Sequence, residues 1–113
     1  MTRNIYLISA QIGDEKHYKI GYTKRKVETR LKELKTGNPA TFNIEKVYVA
    51  DQYGASIESR LHDRFKFKKV EGEWFLLEKE DIDNFENYCE QYYENFELLK
   101  ENTWIQDRNI KFK

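Results

Sequence analysis

The stretch IYLISAQIGDEKHYKIGYTKR, running from Ile5 to Arg25, decides the reading of this chain. Asn4 to Ser9 and Tyr18 to Tyr22 are rich in aromatic and β-branched residues, and Gly13-Asp14-Glu15-Lys16 between them supplies turn formers. That pattern predicts a β-hairpin. Neighbouring antiparallel strands hold cross-strand side chains within about 5.5 Å on one face, so the hairpin sets Tyr6 and Lys19 side by side. Taken alone, the phenol reads as a half-buried core residue and the ammonium as a solvated strand residue.

Outward from the hairpin, Thr23 is the expected N-cap of a helix on which Val27, Leu31 and Leu34 recur at helical spacing, until Gly37 and Pro39 stop it. Phe42 to Ala50 alternates as a third strand, with Ile44, Lys46 and Tyr48 expected on one side and Glu45, Val47 and Val49 on the other. From about Ala55 to Phe67, the four-residue spacing of Ile57, Leu61 and Phe65 marks a second helix. Trp74-Phe75-Leu76-Leu77 reads as a last short strand. Ile82, Phe85, Cys89, Tyr92 and Phe96 line a third, acidic helix, and Trp104, Ile110 and Phe112 form an apolar tail. The expected fold is α+β, a small antiparallel sheet with flanking helices in the order ββαβαβα. Residues 1–78 form the core, and residues 79–113 form an acidic helix and tail packed on the same single domain.

At 113 residues, with 35% charged and 39% hydrophobic side chains, the chain has the composition of one globular domain. Its one cysteine, Cys89, forms no internal disulfide and no thiolate metal cage. Together with the absence of a secretory leader or an apolar run of about 20 residues, this gives the expectation of a soluble, cytoplasmic protein with no membrane partner.

The net charge of zero conceals an asymmetry. Met1 to Val70 carries 15 Lys and Arg against 8 Asp and Glu, an excess of +7, whereas Glu71 to Lys113 carries 5 against 12, an excess of −7. A basic body of this kind attracts a polyanion whatever the total. Lys24, Arg25 and Lys26, directly after the hairpin, are the candidate nucleic-acid contacts. The acidic helix, Asp81 to Glu101, is a second surface, open to a homodimer contact, to a protein partner or to shielding of the basic face.

Zinc-type Cys/His spacings, Gly-rich phosphate loops and nucleophile elbows are absent from the sequence. What remains is a spaced set: Tyr6, then Lys19-Ile20-Gly21, then Arg30 on the first helix, then Glu58 and His62 one turn apart on the second. With YKIGYTKR, ETRLKELKTGNP, IESRLHDRF and GEWF in that order, the set resembles the GIY-YIG endonuclease superfamily. The likeness is to the small phage and bacterial branch with a KIG second motif. Asn4-Ile5-Tyr6 stands for its first triplet, and the likeness covers Ile5 to about Leu77.

The resemblance implies metal-dependent hydrolysis of phosphodiester bonds in DNA. Tyr6 would be the base or water-orienting group, and Arg30 and Lys19 would meet the phosphate. Glu58 would hold one Mg²⁺ (or Mn²⁺), with His62 and Gly21 in support. Gly21 would leave room for the substrate backbone. Val70-Glu71-Gly72-Glu73-Trp74 lacks the asparagine that many members of that superfamily carry. This opens the alternative of a catalytically weak module that binds nucleic acid or a protein partner. Tyr18 and Tyr22 read equally as core or as a substrate platform; Trp74 and Phe75 read as core.

Overall fold

The structure, a computed structural model, describes residues 2–35 and 41–101. Strands β1 (Arg3–Ile12) and β2 (Glu15–Thr23) form the expected hairpin, longer at both ends than the apolar runs suggest. Ile12 pairs with Glu15, so the turn is only Gly13-Asp14, and Gly13 adopts a φ of +62° that glycine reaches without steric cost. Helix α1 (Val27–Lys35), strand β3 (Phe42–Ala50) and helix α2 (Gly54–Arg64) follow. A 3-10 turn (Lys66–Lys68) leads into strands β4 (Lys69–Glu71) and β5 (Trp74–Phe75), and helices α3 (Lys79–Asp83) and α4 (Phe85–Glu101) close the described chain. The five strands form one antiparallel sheet in the order β3-β1-β2-β5-β4.

Alternation along the hairpin divides the core between the two faces of this sheet. Ile5, Leu7, Tyr18 and Ile20 join Ile57, Leu61 and Phe65 of α2 and Phe85 and Cys89 of α4 in one cluster. On the opposite face Tyr6, Ile8 and Ala10 join Val27 of α1 and Phe42, with Leu31, Leu34, Ile44, Val47 and Trp74 packed around them. Tyr18 is thus a core residue, and burial raises its phenol pKa.

Several local expectations are corrected. Thr23 ends β2 and does not cap α1; the first turn of α1 is closed by the Lys26 carbonyl, which accepts from Thr29 and Arg30. The stop at Gly37 and Pro39 lies outside the described residues, as do Trp104, Ile110 and Phe112. Strict alternation fails in β3: Leu7 faces Lys46 but Ile8 faces Ile44, so Glu45 is an extra residue. That bulge moves Ile44 to the side of Val47 and Phe42, away from Tyr48.

The order ββαβαβα gains a strand, because Gly72, at φ +56°, turns Lys69–Glu71 back on Trp74–Phe75. The acidic helix is broken at Asn84 into α3 and α4. Asp81, nearly buried, caps α3 by accepting from Glu78 N at 2.9 Å and from Lys68 Nζ at 2.6 Å. Phe85 and Cys89, both fully buried, pack α4 into the core beneath α2 and β3.

Candidate functional site

The α1 face of the hairpin carries Tyr6, Lys19 and Gly21. Tyr6 lies directly opposite Gly21 in the pairing of β1 with β2, and only 1% of Tyr6 is exposed. A Cβ built on Gly21 would sit 2.2 Å from both Cζ and the hydroxyl of Tyr6, so the ring occupies the space that a side chain at 21 would need. This corrects the role expected of Gly21: it admits the tyrosine of its own sheet, not a substrate backbone.

Helix α1 crosses this face and brings Arg30 over Tyr6, with Nε donating to the hydroxyl at 3.5 Å. The bond to Tyr6 raises the guanidinium pKa further. Arg30 Nη1 also lies 3.7 Å from Glu33 Oε1, an exposed i,i+3 pair of little energetic weight. Glu33 accepts from Arg25 Nη2 at 2.6 Å, while the Arg25 carbonyl accepts from Asn4 Nδ2 at 2.8 Å. Lys24 and Lys26 flank Arg25 on the exposed loop between β2 and α1.

Glu58 reaches the same region from the other side of the sheet. Strand β5 pairs with β2 only at Tyr18 and Lys19, so beyond Lys19 the outer edge of β2 has no strand neighbour. Helix α2 lies across this open edge, and His62 Nε2 donates to the Ile20 carbonyl at 2.9 Å. Its ring meets Phe75 edge-on, with centroids 5.2 Å apart. His62 is therefore a structural link between α2 and the sheet, and it holds Glu58, one turn earlier, at the edge.

Burial raises the Glu58 carboxyl pKa; His62 pulls it down, the charge of Glu73 pushes it up and Lys19 pulls it down. Glu73, which the sequence reading passed over within GEWF, forms an ion pair with Lys19. The bond from Lys19 holds the Glu73 carboxyl below its ordinary range, and His62 and Arg30 lower it further. Glu58 and Glu73 thus each feel the charges of Lys19 and His62 around the end of β5, and Glu73 also feels Arg30, which is bonded to Tyr6. Trp74 flanks them, its ring 5.8 Å from Phe42 and 5.9 Å from Lys19 Nζ.

An open groove of about 580 Å³ continues from Lys19 and Glu73 past Trp74 and His17 to Ile12. Among the described residues no three His, Cys, Asp or Glu side chains converge as a metal cage. A hard cation such as Mg²⁺ needs less, since it binds through one or two carboxylates and keeps most of its waters. Glu58, half-buried beside Glu73, fits that donor set.

No helix of the described chain is long and apolar enough to cross a membrane. Neither a curated protein nor a solved structure matches the chain. The family model that matches is that of the T5orf172 domain, over residues 4–89, and this replaces the GIY-YIG assignment expected from the motifs. Tyr6 and Gly21, the two residues most like those motifs, pack directly against each other in the hairpin. The T5orf172 family is associated with nuclease-like and DNA-binding function. With the match running from the first strand into α4, the chain belongs to the T5orf172 domain family.

Proposed function

We propose that the protein is a metal-dependent nuclease that hydrolyses phosphodiester bonds in DNA at the patch formed by Tyr6, Lys19, Arg30 and Glu58. The reading is supported by Arg30 bonded to Tyr6 and by the charge of Lys19 acting on the half-buried Glu58 carboxylate, side chains drawn from four separate elements. Packing requires none of these charges to meet there. Arg30 offers its planar fork to the phosphate, a geometry that lysine cannot copy. Lys19 adds a second positive charge where negative charge builds on the phosphoryl oxygens. In the resting state Glu73 holds Lys19 in place.

The Tyr6 hydroxyl, already the acceptor of Arg30 Nε, orients the guanidinium and gives the attacking water a hydrogen-bonding partner when Arg30 turns to the phosphate. Glu58 would hold the cation, with Glu73 as a second oxygen donor within reach. When bound, that ion supplies charge neutralisation at the phosphate and a more acidic water. Lys24, Arg25 and Lys26 carry the flanking backbone, and Arg25 exchanges Glu33 for a phosphate.

A catalytically weak nucleic-acid-binding module is the second reading, favoured by the near-complete burial of Tyr6. Purified protein incubated with labelled DNA and Mg²⁺ or Mn²⁺ distinguishes the two. Glu58→Ala is expected to abolish metal-dependent cleavage while preserving DNA binding. Arg30→Ala loses both, with a fall in rate of at least about a hundredfold, or roughly 3 kcal/mol. Wild-type protein that binds DNA yet cuts none, or Glu58→Ala that cuts as fast as wild type, removes the enzyme reading.

A further inference from the structure

Among the described residues, the large apolar side chain that the fold leaves most open lies outside this patch. Phe67 is 90% exposed, at the centre of the 3-10 turn between α2 and β4. The turn is rigidly held: Phe65, buried in the core, donates to the Leu61 carbonyl at 3.1 Å. Lys68 donates to the Phe65 carbonyl at 2.8 Å, and the Lys68 carbonyl accepts from Leu76 at 2.8 Å. The backbone that carries the Phe67 ring is therefore already ordered when a planar partner stacks on it.

Its surroundings are cationic. Lys66 Nζ lies 5.3 Å from the ring centroid and 3.7 Å from Asp63, in an exposed pair that screening weakens. Lys69 follows on the exposed edge strand β4, and among the described residues no ion pair engages it. Lys68 is committed to Asp81. A lysine on an edge strand discourages edge-to-edge pairing, which accounts for Lys69 but not for an exposed aromatic ring beside it.

We propose that Phe67, flanked by Lys66 and Lys69, is a stacking platform for an unpaired nucleobase, with the two lysines on the adjoining phosphates of a single strand. The ring supplies a sequence-tolerant π-face and the lysines complement a polyanion, the two components by which proteins hold single strands. Bases of an intact duplex are stacked on one another and present no face to a projecting ring. The turn runs directly into β4 at Lys69, and β4 is joined through β5 to β2, the strand that carries Lys19. The inference rests on the nucleic-acid reading of the chain and extends it to a substrate class: DNA with a single-stranded segment.

The test is fluorescence anisotropy of the full chain with a labelled single-stranded oligodeoxynucleotide and a blunt duplex, without divalent metal so that nothing is cut. Phe67→Ala is expected to weaken single-strand binding by roughly tenfold or more while leaving duplex affinity and the salt slope unchanged, and Phe67→Trp to restore it. Lys69→Ala is expected to reduce the salt slope on the single strand by about 0.7. Equal losses on both DNA forms, or no loss on either, overturn the platform. So does an unchanged DNA affinity accompanied by conversion of a dimer to a monomer, which would make Phe67 a contact between copies of the chain. Wild-type protein that binds no nucleic acid at all instead defeats the functional reading on which the platform rests.

Discussion

Replacing Gly21 with alanine tests the geometry that holds the site together. The new Cβ would lie 2.2 Å from Tyr6 Cζ and its hydroxyl and 2.6 Å from Cε1. Carbon atoms settle about 3.5–4.0 Å apart, so the ring or the strand must yield by more than about 1 Å. Tyr6 cannot swing aside, because Ile8, Ala10, Val27 and Phe42 close around it. Overpacking of a filled core costs about 1–3 kcal/mol, and the severity of this overlap puts Gly21→Ala near 3 kcal/mol. In a domain of this size that lowers Tm by roughly 12–24 °C.

The sign is diagnostic, since alanine in place of a strand glycine without a clash would be more stable by about 0.5–1 kcal/mol. Urea unfolding followed by circular dichroism measures the loss. The double variant Gly21→Ala/Tyr6→Leu should recover at least about 1 kcal/mol relative to additivity. A Gly21→Ala protein as stable as wild type, or strictly additive effects in the double variant, would refute the packing argument and with it the account of how Tyr6 is placed under Arg30.

Glu58→Gln should be more stable than wild type near neutral pH. Burial raises the Glu58 pKa in the folded state, so the favourable protonated form is fully present below the unfolded carboxylate value and is lost as pH rises through the folded one. The advantage of the variant should therefore grow between about pH 4 and about pH 7 in urea midpoints, and a constant or reversed difference would contradict it. Cys89, fully buried with its thiol pKa pushed up to about 12 by that burial, should resist an aromatic disulfide reagent in the native protein and react only on unfolding. Rapid native labelling would show that α4 does not seal the core. Lys24→Ala and Lys26→Ala should each reduce the salt slope of duplex binding by about 0.9, whereas unchanged slopes would remove that loop from the interface. Tyr6→Phe should fold and bind DNA but cut it slowly; full activity would take the hydroxyl out of the chemistry.

The elements were legible wherever period and turn chemistry agreed. Phe42 to Ala50 is a strand with the expected limits; the hairpin follows from its residue types and turn formers, Phe75 from a short apolar run, and both apolar helix stripes, with Phe85 and Cys89, from spacing. The Glu45 bulge was not legible, because an extra residue in β3 has meaning only against the register of β1. The Asp81 cap of α3 was not legible either, because its partner Lys68 comes from a separate element.

In the candidate site, Tyr6, Lys19, Arg30 and Glu58 could be singled out by type and order, but their relations could not. The fit of Tyr6 over Gly21 requires the exact pairing of two strands, and Glu73 meets Lys19 only because β5 returns to the edge of β2 from 54 residues away. The one advance signal of Glu73 was its place between a turn glycine and Trp74 in GEWF. The family, too, was beyond short motifs whose residues the packing of the sheet explains.

In the proposed site one cation and one phosphate would meet between Glu58, Tyr6 and Arg30. Anomalous diffraction from a crystal of the protein with a short DNA and Mn²⁺ tests it most directly. A manganese peak is expected at coordination distance from a Glu58 carboxylate oxygen, with a DNA phosphate between that ion and the Arg30 guanidinium. A bound DNA whose phosphates contact Lys24, Arg25 and Lys26 while manganese is absent from Glu58, or is found on another carboxylate away from Tyr6, would contradict it.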